Sequence, residues 1–466
     1  MSAPVGSAPA SAPHNLTYAD ALAALEARGR FGIRMGLGRV RALLRELGDP
    51  QLDVRGALVA GTNGKGSVIA LAGSALRAAG YRTAETPKPH LVTYRERIVV
   101  DGRPISPQDF ADGVAAVLPL ADKVARRLGP LTEFELLTAV MFRHFAQTRP
   151  DVALVEVGLG GRLDATHAWD GGVAVLTNVA LDHTDRLGVT LEAIARQKAA
   201  IINRGDRAVT GTTDDALGVV RRRCLRLGVP LAVVGPANVL GWTRDTLTVD
   251  LPRLGPTNIG LRGRHQGANL AVADALLDAL EAAGIAVVPD DARRRGYEEA
   301  RWPGRLELVD VAVPGGGTRE VLLDGAHNPA GAAALASALD DLRPHLVGGA
   351  AANPPALTLV WGSMVDKDVP GVISAMAGCA ALAHATVICT SMDLPRSLSA
   401  PELAAAWQTA GIPGLRAIAA VTPDAALDLA LSVGEGTVVV AGSLYLVGAA
   451  RARLVEDPAV RDPEAA

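Results

Sequence analysis

The chain has 466 residues, nearly half of them apolar, enough to bury the cores of two or three domains. A formal net charge of −3 excludes a global basic field for nucleic acid or an anionic membrane. No run approaches the roughly 20 apolar residues of a membrane span. The three cysteines, Cys224, Cys379 and Cys389, are spaced for neither a disulfide framework nor a zinc site. A reducing, cytoplasmic compartment is therefore expected.

Residues 1–13 form an Ala/Pro/Ser tail with no basic flank and no long apolar core, so a disordered leader is expected rather than a signal peptide. From about residue 55 onward, apolar strand-like runs alternate with helical patterns, the signature of α/β architecture with largely parallel sheets. Residues 56–60 read as a strand, followed by a Gly-rich turn and a helix from near Lys65 with Val68, Leu71, Ala72, Ala75, Leu76 and Ala79 on one stripe. Gly80 is its stop signal. Residues 152–157 and 173–177 are continuous apolar runs, as strands buried on both faces require. The pattern breaks at Arg293–Gly304 and restarts with strands at 306–309, 321–323, 357–361, 385–389 and 437–440. The expected organisation is an N-terminal domain over 14–300 and a smaller C-terminal domain over 301–466, with no internal repeat.

The turn Gly61-Thr62-Asn63-Gly64-Lys65-Gly66-Ser67 lies between a strand and a helix. Backbone N–H groups at such a turn cradle phosphates, and Lys65 would reach the outer ones. It is not the common G-x-x-x-x-G-K-[ST] spacing, because Gly66 intervenes before Ser67. Glu156 ends a buried strand at the edge where open α/β sheets bind ligands. His183, taken alone, reads as an ordinary loop histidine, because Mg2+ prefers hard oxygen ligands. A helix capped by Thr190 carries Lys198. Only five of the 46 Lys and Arg residues are lysines: Lys65, Lys88, Lys123, Lys198 and Lys367. A lysine kept in so Arg-biased a chain is a candidate for a task that needs its amine.

At these residues the sequence resembles the folylpolyglutamate synthase/dihydrofolate synthase family of the Mur ligase superfamily. The matching segments are GTNGKGS at 61–67, PHLVTYRERI at 89–98, VEVGLGGRLDAT at 155–166 and TNVALDHTDRLG at 177–188. ARQKAAI at 195–201, GRHQGAN at 263–269, PGRLE at 303–307, DGAHNP at 324–329 and GSLYLVG at 442–448 follow in the family's order. The resemblance implies a P-loop-type N-terminal ATPase domain with a mostly parallel sheet, and a smaller Rossmann-like α/β C-terminal domain. It implies an ATP-dependent ligase that adds L-glutamate to a folate, to dihydropteroate, or to both. ATP, one or two Mg2+ ions and a monovalent cation such as K+ are the implied cofactors, and a monomer is expected.

Residue by residue, the resemblance places Thr62, Asn63, Gly64, Lys65, Gly66 and Ser67 on the ATP phosphates and Asn269 on adenine. Arg305 and Asp324 would complete the nucleotide site. Glu156, His183 and Lys198 would hold Mg2+, with Lys198 converted to a carbamate, a change open to an amine and closed to Arg. His327 would lie near the acyl phosphate and the incoming glutamate, and Lys65, Lys198 and His327 form the implied catalytic set. The pterin end would meet Arg34–Gly36, Thr132, Glu133, Phe134, Glu135, Leu163, Asp164 and Ala165. One departure stands out. The family usually has Ser-Pro-His-Leu, with a metal-binding serine, where this chain has Lys88-Pro89-His90-Leu91. Lys88 could turn outward, replace one Mg2+ with its own charge, or bind phosphate directly; it is not counted among the metal ligands. A cell-wall Mur-type ligase and a P-loop small-molecule kinase are the rival readings. PHLVTYRERI and VEVGLGGRLDAT favour the folate branch.

Overall fold

The structure, a computed structural model, describes residues 16–29, 35–313 and 316–463. The expected leader 1–13 and Arg34 lie outside the described residues.

Three sheets organise these residues. The first contains β1 (Gly56–Ala60), β2 (Thr83–Thr86), β3 (Val99–Val100), β4 (Arg103–Pro104), β5 (Val152–Glu156), β6 (Gly172–Leu176), β7 (Arg207–Thr210) and β8 (Leu231–Val233). Their order is β4-β3-β2-β5-β1-β6-β7-β8. The strands from β2 to β8 pair in parallel, and the short β3–β4 hairpin is added antiparallel at one edge. Continuous apolar runs are required because both faces are covered. Leu58, Ala60, Ala153, Val155, Ala174 and Leu176 face one core, shared with the helices Pro107–Leu128 and Glu133–Thr148. Ala57, Val59, Val152, Leu154, Val173 and Val175 face the other, against the helices Lys65–Ala78 and Gln266–Ala282.

A separate antiparallel sheet, β9 (Asn238–Trp242), β10 (Leu247–Leu251) and β11 (Gly255–Ile259), has the order β11-β10-β9. It is a departure from the largely parallel expectation. Its strands alternate buried and exposed positions, as a one-sided sheet does. The third sheet holds β12 (Glu307–Ala312), β13 (Thr318–Leu323), β14 (Thr358–Trp361), β15 (Thr386–Thr390), β16 (Arg416–Ala420) and β17 (Val438–Ala441), ordered β12-β13-β17-β14-β15-β16. All pairings but β12–β13 are parallel.

Several polar contacts hold the third sheet's portion against the rest, among them the pairs of Arg244 with Asp310 at 2.7 Å and Glu320 at 2.9 Å. Arg264 forms a two-pronged ion pair with Asp341 at 2.6 and 2.5 Å. Near the C-terminus, Asp462 accepts from Thr93 at 2.6 Å while Arg95 donates to the Arg461 carbonyl at 2.7 Å. No helix among the described residues is long and apolar enough to cross a membrane.

Beneath the second face, a fully buried Arg293 donates to Asp274 at 2.8 Å and to Asp278 at 2.6 Å, and Tyr297 adds its hydroxyl to Asp274 at 2.8 Å. Removing one partner of such a set strands the other's charge. Arg293→Leu is expected to cost about 3–5 kcal/mol, read as a lowered urea midpoint at unchanged slope.

Candidate active site

The Gly-rich turn leaves β1 and enters the helix Lys65–Ala78 through Gly64, whose φ of 80° is left-handed. A side chain there would also strike Asn269, so glycine is needed twice over. The turn is tied to the segment after β6. Thr177 donates to the Asn63 carbonyl at 2.6 Å, Asn63 N–H donates to Asn178 at 2.9 Å, and Ala180 N–H donates to Thr62 Oγ1 at 3.0 Å. These bonds fix the loop before any ligand arrives.

Two lysines meet at this loop. Lys65 Nζ donates to the Gly61 and Thr62 carbonyls at 3.2 and 3.0 Å and lies 3.8 Å from Glu156 Oε1. Lys198, on the helix that Thr190 caps, donates to the same Gly61 carbonyl at 2.7 Å. Burial, aided by repulsion from Lys65, pushes the Lys198 amine down to about 7. Glu156 is buried at the end of β5, and desolvation raises its pKa against the opposing pull of Lys65 and Lys88.

From the other side, Arg305 follows the Trp302-Pro303-Gly304 turn. It sits close enough to Asp324 and Glu156 for both carboxylates to offset its burial. Asp324 accepts from Leu306 N–H and Ala326 N–H, both at 2.9 Å, and so holds the two loops that carry Arg305 and His327. His327 Nδ1 lies 2.8 Å from the Gly325 carbonyl, and burial lowers its pKa, keeping the imidazole neutral. Trp302 lies over Gly66, where a Cβ would collide with its ring.

These groups line one cavity of about 870 Å³. It brings together Thr62, Asn63, Gly64, Lys65, Gly66, Ser67, Asn269, Arg305, Asp324, His327, Glu156 and His183. Met35, Gly36, Thr132, Glu133, Phe134, Glu135, Leu163, Asp164 and Ala165 line it as well. Among the described residues, Lys198 alone of the expected site residues is not on the wall; it stands behind the loop. Among the described residues, no three His, Cys, Asp or Glu side chains are clustered to hold a metal by themselves. His183 is half exposed, its Nε2 3.8 Å from Asp182.

Several of the expected substrate contacts already have partners. Glu135 caps its own helix through Thr132 and pairs with Arg39 at 3.0 Å. Asp164 receives Leu159 N–H and Thr166 N–H, shaping the loop rather than pointing free. Asp182 and Gln266 are wall residues that the sequence reading did not single out. Gln266 bridges Ser67 and Asn269 at 3.3 and 2.8 Å, and only three-dimensional proximity reveals it. The outward reading of Lys88 is corrected. Its Nζ turns inward onto the Glu156 carbonyl at 2.6 Å and lies 4.7 Å from the Phe134 ring centre.

A phosphate loop that shares its cavity with an arginine and a histidine from a second α/β sheet belongs to ATP-dependent acid–amino-acid ligases of the Mur type. The Mur ligase glutamate ligase domain matches residues 304–444. A dihydrofolate synthase/folylpolyglutamate synthase of Bacillus subtilis is 34% identical over 396 residues, 83% of this chain and 88% of the relative. The chain therefore belongs to the folylpolyglutamate synthase/dihydrofolate synthase family. Among solved structures, the folylpolyglutamate synthase of Mycobacterium tuberculosis complexed with ADP and AMPPCP matches with a TM-score of 0.79 and 31% identity, covering 95% of this chain and all of that one. The bifunctional synthase of Yersinia pestis complexed with AMPPNP and a Mn ion matches at 0.75 and 30%, covering 95% and 99%.

Lys65→Ala removes the point charge that stands at the loop, 3.8 Å from Glu156. Ligation is expected to fall below about a tenth of the wild-type rate, a barrier increase above ~1.4 kcal/mol. Steady-state kinetics check this, with the melting temperature as the control for folding.

Proposed function

We infer that this protein joins L-glutamate to dihydropteroate, to a folate, or to both, through an acyl phosphate. One observation carries the reading: a single cavity is shared between the phosphate loop of the first sheet and Arg305, Asp324 and His327 of the third. The aromatic and apolar lobe at Phe134, Leu163 and Ala165 suits a flat pterin. We place the domain boundary at about residue 300, so that closing the two domains completes the site and excludes water from the acyl phosphate.

An oxygen of the acceptor carboxylate attacks the γ-phosphorus of ATP, the β–γ bridging bond breaks, and ADP leaves. The amino group of glutamate then attacks the acyl carbon, gives up a proton, and inorganic phosphate departs. Such phosphoryl transfer depends on positioning and charge neutralisation. Lys65 and Arg305 supply fixed positive charge. A neutral His327, with one nitrogen on the Gly325 carbonyl, is suited to take the proton released by the incoming amine.

The residues present fit a divalent cation. Glu156 Oε1 accepts no hydrogen bond among the described residues, leaving its lone pairs open. With its pKa lowered to about 7, the amine is available uncharged at neutral pH, attacks the carbon of carbon dioxide and loses a proton, so Lys198 can become an oxygen donor. Glu156, His183 and a carbamylated Lys198 would hold Mg2+, which when bound neutralises charge on the phosphoryl oxygens. The resemblance also supports a monovalent cation such as K+, a monomer and a cytoplasmic location.

Glutamate incorporation, measured with dihydropteroate and with tetrahydrofolate side by side, tests the reading. ADP release is expected to require both a pterin substrate and glutamate; release without glutamate at the full rate would identify a kinase instead.

Carbamylation gives a separate expectation. The free amine needed for it prevails above about pH 7 and is lost to protonation below, so the carbamate should fade as pH falls through that value. A 13C carbamate resonance after exposure to labelled bicarbonate checks its presence. Lys198→Ala should be nearly inactive and partly rescued by formate or acetate.

A further inference from the structure

We infer that the Lys88 ammonium is a second fixed cation for the phosphoryl group transferred from ATP, standing across Glu156 from Lys65. The inference rests on the ATP-dependent reading above.

Lys88 follows β2 and lies against the end of β5. Its backbone N–H donates to Glu156 Oε2 at 2.9 Å, and its Nζ donates to the Glu156 carbonyl at 2.6 Å. Lys65 Nζ stands 3.8 Å from the other oxygen of the same carboxylate. One acidic residue is therefore flanked by two ammonium groups, and Arg305 acts on it as a third cation. Asp164 acts on Lys88 and Asp324 on Arg305 as well, so the cations are partly balanced, while the Lys88 ammonium itself is bonded to no carboxylate.

The rest of the lysine head is unpartnered. An ammonium has three donors, yet among the described residues Nζ finds one acceptor and no carboxylate within 4.0 Å. Phe134 lies under it with the ring centre at 4.7 Å, fixing the cation by its π face without giving it a hydrogen bond. Both Lys88 and Lys65 are on the cavity wall. Lys123 pairs with Glu46 on the surface, Lys198 donates to the Gly61 carbonyl, and Lys367 lies beside Asp366 and acts on His327. Lys88 thus has the charge, the free donors and the position to meet oxygens held by the loop. An ammonium fixed by the fold supplies there a positive charge that needs no dissociable ion.

Calorimetric titration in EDTA, with ADP and with the non-hydrolysable analogue AMPPNP, isolates the terminal phosphate. The wild-type protein should bind AMPPNP more tightly than ADP. Lys88→Met should shrink that advantage about tenfold, the scale of a lost charge-assisted hydrogen bond, while ADP affinity stays within about twofold. Lys88→Arg should keep most of the advantage. Lys88→Gln is run beside them, because its amide retains a donor for the Glu156 carbonyl if Lys88→Met fails to fold. An AMPPNP-to-ADP ratio unchanged in the neutral variants overturns the inference. So does a raised acceptor KM at constant nucleotide ratio, which would move Lys88 to the acceptor carboxylate. Wild-type protein that binds neither nucleotide would instead remove the ATP-dependent reading and this inference with it.

Discussion

Glu156 is the constraint around which the site is arranged. It is a buried carboxylate at the end of a central strand, 3.8 Å from Lys65; it accepts from the Lys88 backbone N–H, while its main-chain carbonyl accepts from Lys88 Nζ. Burying such a charge is unfavourable unless it is paired. Its neighbours are therefore cations, and Asp164 and Asp324 act in turn on Lys88 and Arg305. Beside these cations, side-chain-to-backbone bonds tie the loop to the 177–180 segment and hold the shape of the turn.

Two sheets provide what one could not. The first presents the loop N–H groups, Lys65 and Glu156 on rigid strand ends. The third brings Arg305 and His327, whose loops are clamped by the two hydrogen bonds to Asp324. Asp324 thus has a mechanical task besides any contact with nucleotide.

The buried parallel strands were legible because both their faces are covered, so their residues form unbroken apolar runs. The loop, its helix and the Thr190 cap followed from glycine placement and spacing. Other elements were hidden for identifiable reasons. β2 reads Thr-Ala-Glu-Thr, and Glu85 in it is buried only because Arg77 reaches it. β9 mixes Asn, Gly and Trp and pairs through an irregular register, which leaves no clean alternation. At the site, residue identity pointed to a role for about half of the cavity residues, while direction required coordinates. Lys88 could be flagged as a departure, but not that it turns inward. Lys198 could be flagged as a scarce amine, but not that it approaches the loop from behind, through the Gly61 carbonyl. Glu135 looked available until Arg39 and the helix cap were seen to hold it.

The position of Trp302 has an optical consequence. Its indole lies over Gly66 of the loop and on the cavity wall, while Trp169, Trp361 and Trp407 are fully buried in apolar cores. An indole reports the polarity around it, so Trp302 emission offers an intrinsic spectroscopic signal for changes at the loop, read against these three buried rings and against Trp242, whose ring lies under Arg264.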